Sequence, residues 1–285
     1  MADEIIKECA KHILAQVSWT SGEVDGFYAD MGEEWSPPDN WTDDSLVIAL
    51  SPEAEHQIRE MGPVLDQSRE FGEDEWPDDE EEFGASRGQA SNMYWLGRYY
   101  QMSPRGRIEL NQTNLTAYFW QLVLELLPNH QITAWQLTRL AEATVAKTLR
   151  HEEFHHHIDV MMVLFGTRQF KDRLKEEAMA VAHSHEEVSH RGSGLGWWWD
   201  KVPEALRKDF LEKAYVYTAP GYRDWSKYQH SFRMEEHVQA YVIHPNATRL
   251  LNMAAGHRWS SWHMGHGLEK MFGQGNTHMT DIALV

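Results

Sequence analysis

The run His151-Glu152-Glu153-Phe154-His155 sets two imidazoles four positions apart, with a glutamate directly after the first. Residues i and i+4 share one face of an α-helix, so both imidazoles can reach one cation while Glu152 stands a step round the helix. A zinc ion gripped this way keeps a side open to water, and a carboxylate at the position of Glu152 can take that water's proton. Two histidines leave such a site incomplete, because a catalytic zinc takes three protein ligands and keeps a fourth position open. Cys9 is the only cysteine. Thiolate ligation and internal disulfides are therefore excluded, and the third ligand has to be a histidine or a carboxylate.

The sequence downstream supplies candidates in Glu176-Glu177-Ala178-Met179-Ala180. Helical phase sets Glu177 beside Leu174, Ala178 and Val181 on an apolar face, whereas Glu176 keeps company with Arg173 and Lys175. A carboxylate on an apolar face needs a partner, since burying it alone costs several kcal/mol. Glu177 is the expected third ligand, with Glu176 as the alternative carboxylate and His183, His185 and His190 as further candidates. Asp159, one turn beyond His155, is placed to orient that imidazole. His156 and His157 point away from His151 and suit solvent or outer positions.

Helices have to carry these residues, and the sequence provides them. No proline occurs from Asn129 to Val202, and apolar residues recur at helical spacing through Trp135, Leu140, Val145, Leu149, Phe154, Ile158 and Met162. His151, His155, Ile158 and Met162 form one stripe, which places the imidazoles on an inward face. Gly166 is a stop signal. A second helix is predicted from about Phe170 to His190, ending at a glycine-rich run, Gly192 to Gly196. Upstream, Arg107 to Asn111 alternates as a short strand, and Thr113 or Asn114 can cap a helix over Leu115 to Leu127. An amphipathic helix over 3–17 and a helix opening at Ser51-Pro52 are expected in the first third.

The order strand (RGRIELN), helix, HEEFH helix and a helix bearing EEAMA resembles the core of the gluzincin metallopeptidases over roughly residues 104–190. The resemblance implies a mainly α (α+β) fold: a zincin-like helical core with a small β-sheet or edge strand. It implies one zinc ion per chain, held by His151, His155 and Glu177, with Glu152 as general base in peptide hydrolysis. It gives the strand Arg107 to Asn111 the role of an edge that receives extended peptide. An oxyanion donor from beyond the third ligand is also implied, and Tyr222, His230 or His237 can fill that role.

Composition bounds the rest. The net charge of -18 is concentrated at the front, where residues 1–100 hold 24 acidic and 6 basic side chains while residues 101–285 hold 20 of each. Eight of the ten residues from Glu73 to Glu82 are acidic, a block that suits a solvated linker or a surface for a basic protein partner and opposes nucleic-acid binding. No run approaches the roughly 18 apolar residues of a membrane span, and the first residues lack the pattern of a secretory leader, so a cytoplasmic protein with no membrane partner is expected. The expected organisation is an acidic region over 1–93 with its linker near 72–88, a metal-binding core over 94–245, and a C-terminal extension over 246–285. The Trp197-Trp198-Trp199 run suits packing. His257, His263, His266 and His278 follow no regular spacing.

Two other function classes fit parts of the pattern. Glu152 to His155 and Glu187 to His190 both read E-x-x-H, and with Glu125 and Glu235 or Glu236 they compose the ligand set of a helical di-iron carboxylate oxidoreductase. That set gives His151 no part. The acidic front, studded with tryptophan, suits a non-enzymatic protein-interaction factor with a metal site.

Overall fold

A computed structural model describes residues 5–7, 9, 47–60, 96–101, 106–165, 167, 171–189, 199–217, 221–229, 231–242 and 280–284. These residues form a mainly α architecture: besides the helical residues 5–7 and 9, the elements are α1 (Pro52–Glu60), β1 (Gly97–Tyr100), β2 (Gly106–Leu110), α2 (Gln112–Leu126), α3 (Ala134–Phe165), α4 (Arg173–Ser189), α5 (Glu204–Ala214), α6 (Ser231–Val242) and β3 (Thr280–Leu284), with short 3-10 turns at Trp199–Lys201 and Tyr222–Tyr228.

The 32-residue helix α3 is the axis of the fold. It starts at a capping box: Thr133 Oγ1 accepts the Gln136 N–H at 3.2 Å, and Gln136 Oε1 accepts the Thr133 N–H at 3.0 Å. Neighbours surround it, since α2, α4, α6, β1 and β2 all pack on it. Polar residues on such a helix need internal partners, and Arg139–Glu142 (2.8 Å) and Arg150–Glu153 (2.6 Å) are buried pairs one turn apart. Helix α4 runs from an Asp172 cap, whose Oδ1 accepts the Lys175 N–H. Gly166 lies outside the described residues; the helix before it ends at Phe165.

The cap of α2 is Asn111, whose side chain accepts the Asn114 N–H at 2.9 Å, so the helix starts at Gln112, three positions before the predicted Leu115. Both Asn111 and Asn114 are cap-forming residues, and the end of β2 at Leu110 decides between them. Ser51 caps α1 through the Ala54 N–H as expected.

The sheet order is β1-β2-β3. β2 pairs antiparallel with β1 (Tyr99 opposite Ile108) and parallel with β3 (Ile108 opposite Ile282). The expected alternation holds, with Ile108 and Leu110 fully buried and Arg107 exposed. The expected role does not. Both sides of β2 are paired within the chain, so it cannot receive a substrate strand; the outer strand lying on α3 is β1. The helical residues Ile5, Ile6 and Cys9 are buried in the same core as Leu110, Leu122 and Leu149. A second core cluster, including Phe154, Ile158, Met179 and Val238, sits where α3, α4 and α6 meet. Among the described residues no helix is long and apolar enough to cross a membrane. The acidic block and the histidines beyond 242 lie outside the described residues, as do Trp197 and Trp198; Trp199 is buried against Phe210.

Candidate metal centre

Three side-chain atoms from two helices converge on one point. His151 Nε2 and His155 Nε2, from α3, lie 3.2 Å apart, and Glu177 Oε2, from α4, is 3.1 Å from the first and 3.2 Å from the second. A tetrahedral ion bonded at 2.0–2.1 Å to three ligands holds them about 3.3–3.4 Å apart, so the triangle fits such an ion with little movement. Among the described residues this is the one group of three or more His, Cys, Asp or Glu side chains able to hold a metal ion. The set has two nitrogen donors and one oxygen. Its side chains retain 10–13% exposure, so the ligands are not sealed from solvent.

The electrostatics follow from this geometry. Burial favours a neutral His155, but the Glu177 and Glu176 carboxylates outweigh it and raise the imidazole well above its ordinary range. Burial likewise disfavours the charge of Glu177, yet His155 and His151 hold that carboxyl well below its ordinary range. Both shifts favour a charged pair whose atoms face one point, where a shared proton would sit. A divalent cation is the natural replacement for it.

His155 is oriented by Glu176, whose Oε1 accepts from Nδ1 at 2.7 Å. This corrects two expectations. Asp159 does not serve His155; its Oδ2 accepts the Tyr99 hydroxyl at 2.9 Å. Nor does Glu176 lie on a polar face, for it is 1% exposed, while Leu174, assigned to the apolar side, is 46% exposed. Helical phase failed here because α4 is covered on two sides, by α3 and by the Tyr222–Tyr228 turn and α6, so its buried arc exceeds one stripe. His156 is also buried, with its ring against Tyr99.

Glu152 is buried beneath β1, and the Tyr99 backbone N–H donates to it. Burial raises its carboxyl above the ordinary range, Glu177 adds to the rise, and the two imidazoles pull against it. The strand can approach so closely because residue 97 is glycine. A Cβ there would lie 2.8 Å from Glu152 Cγ and 2.8 Å from Thr148 Cγ2. A glycine at the first position of the strand is the sequence signal for this close approach.

Of the three oxyanion-donor candidates, Tyr222 is at the site. Its ring stacks on His151 at 5.7 Å and 12°, and its hydroxyl donates to Glu177. Burial, then the charges of Glu177 and Glu152, raise this phenol well above its ordinary range, so it remains a donor. Gly221 places it, with a φ of 80° and no room for a Cβ against the Leu174 carbonyl oxygen at 2.8 Å. His237 packs against Tyr228 instead, and His230 lies outside the described residues.

The other ligand candidates are engaged elsewhere. His183 packs on Phe154, and burial, followed by Arg150 and His151, pushes its pKa down to about 3. His185 packs between Tyr215 and Trp225, and His190 lies outside the described residues. The di-iron set is not assembled among the described residues: Glu125 reaches outward to Lys213 at 3.1 Å, and Glu236 is exposed. No family model, no curated protein and no solved structure matches this chain.

Proposed function

We propose that the chain is a zinc-dependent peptidase in which His151, His155 and Glu177 hold the ion and Glu152 is the general base. The observation that carries this reading is the convergence of the three ligand atoms within 3.2 Å of one another, beside a buried carboxyl whose pKa is raised. Zinc, when bound, supplies a Lewis acid that acidifies water and polarises a carbonyl.

The chain's own residues do the rest. Glu152, whose carboxyl burial raises above the ordinary range, is suited to accept a proton from water and return it to a leaving amine. The Tyr99 N–H and the missing Cβ of Gly97 hold that carboxyl in place. Tyr222 keeps its proton beside two carboxylates and can donate to an oxyanion. Glu176 holds His155 with Nε2 facing the ion. In this reading β1, rather than β2, borders the substrate.

The test combines metal analysis with a peptide library. Purified protein should carry one zinc per chain, and Glu152→Gln should keep the zinc while turnover falls by about 10²-fold or more. Full turnover in that variant refutes the assignment of the base. Bound zinc with no cleavage of any library member points to a non-enzymatic metal protein, and two irons per chain point to an oxidoreductase.

A further inference from the structure

Glu176 is a carboxylate with 1% exposure, and such a group has to be held on every side. His155 Nδ1 lies 2.7 Å from Oε1, the Lys171 ammonium lies 3.3 Å from the same oxygen, and the Tyr241 hydroxyl donates to Oε2 at 3.0 Å. Tyr241 comes from α6, is 8% exposed, and has its ring beneath the Lys175 ammonium at 5.5 Å. Its oxygen also accepts the Asp172 N–H at 2.9 Å and lies 2.9 Å from the Asp172 carbonyl. The single hydroxyl proton therefore has two acceptors in reach. The carboxylate is the stronger one, because a charge-assisted bond is about twice as strong as a neutral one. One oxygen thus joins α6, the cap of α4 and the carboxylate that orients His155.

We propose that Tyr241 is a positioning residue of the metal centre: through Glu176 it fixes His155 with Nδ1 protonated and Nε2 presented to the ion. The inference rests on the metal-centre reading but not on peptidase activity. An imidazole offers either nitrogen to a metal, and the hydrogen bond at one selects the other. Glu176 makes that selection only if it cannot rotate away. Lys171 restrains one of its oxygens from a side chain that is 24% exposed, whereas Tyr241 restrains the other from inside the core. The seating of α6 against α4 thereby becomes part of the metal site, although α6 contributes no ligand among the described residues.

The experiment uses the full chain and reads zinc affinity by competition with a chromophoric chelator, together with the visible spectrum of the cobalt-substituted protein. Tyr241→Phe keeps the ring and its contact with Lys175 and removes only the hydroxyl. It should weaken zinc binding about ten-fold and shift the cobalt bands. Glu176→Gln should weaken it at least as much, and the double variant should be no weaker than Glu176→Gln alone. If Tyr241→Phe fails to fold, Lys171→Met releases the other oxygen and should weaken binding in the same direction. Wild-type affinity and an unshifted cobalt spectrum in Tyr241→Phe overturn the proposal, as do additive losses in the double variant. Absence of zinc binding in the wild type overturns this inference and the metal reading together. Zinc binding that responds to Tyr241→Phe without peptidase activity supports this inference and defeats the proposed function.

Discussion

His155 and Glu177 face each other across the point that suits a cation, and this sets how the site answers to pH. His155 is raised and Glu177 lowered by their mutual attraction. On the proposed reading a zinc ion would displace the His155 proton, so its apparent affinity should fall as pH drops below that raised pKa, approaching ten-fold per unit. Competition titrations at several pH values check this, and a flat profile would mean that no proton is displaced. The same pair also contributes to the stability of the fold. The Glu177 contribution is present above the ordinary carboxylate pKa and is lost as pH falls through the lowered one. The His155 contribution is present below the ordinary imidazole pKa and is lost as pH rises through the raised one.

Lys147, one turn before His151, raises the opposite case. Its ammonium is buried at 2.8 Å from the Tyr118 hydroxyl and within 5.2 Å of the Tyr118, Tyr215 and Tyr217 ring centroids. Burial lowers its pKa to about 7. The folded state therefore binds this proton less readily than the unfolded chain, and the charge costs stability in full below pH 7, less as pH rises toward the ordinary lysine value. Lys147→Met should stabilise the chain by about 2 kcal/mol near pH 6, with the gain shrinking toward pH 10. Urea denaturation at the two pH values decides it. An equal gain at both would place the effect in packing rather than in charge.

At the scale of elements, the site depends on two close approaches to helices. Strand β1 sits on α3 because Gly97 has no side chain, and the Tyr222–Tyr228 turn sits on α4 because Gly221 has none and adopts a positive φ. Gly97→Ala should push the Glu152 carboxyl out of place, lowering turnover by about ten-fold or more while zinc stays bound, because none of the three ligands is touched. Gly221→Ala should lower the melting temperature through strain of about 1–3 kcal/mol and displace Tyr222 from His151. Steady-state kinetics with metal analysis measure the first, and thermal unfolding the second. An active Gly97→Ala enzyme would show that the strand yields and that its fit over Glu152 is not needed.

For the molecule as a whole, an ion held by His151, His155 and Glu177 would tie α3 to α4 at the meeting of the two core clusters. A ligand that binds the folded chain alone stabilises it by about 4 kcal/mol at a thousand times its dissociation constant. On the zinc reading, chelation should therefore lower the melting temperature on the order of 10 °C, reversibly. Glu177→Ala should melt at one temperature with or without zinc. The sheet also draws on distant parts of the chain, since β3, near the C-terminus, pairs with β2 more than 150 residues earlier.

Local information reached α1, α2, β2, α3, α4 and the three candidate ligands, but not β1, α5, α6 or β3. Helical spacing placed His151 and His155 on one face, the proline-free run announced α3, alternation announced β2, and Ser51 announced the start of α1. Each of these depends on neighbours within about a turn or on a strand's own period. The same periodicity picked Glu177 and misjudged Glu176, because a single apolar stripe assumes one covering neighbour and α4 has more than one. Only the tertiary structure decided which strand lies over Glu152, which carboxylate orients His155, and which aromatic residue reaches the centre. Those choices join residues 99 to 152, 176 to 155 and 222 to 177, and no local pattern carries pairings made by packing between elements distant in sequence.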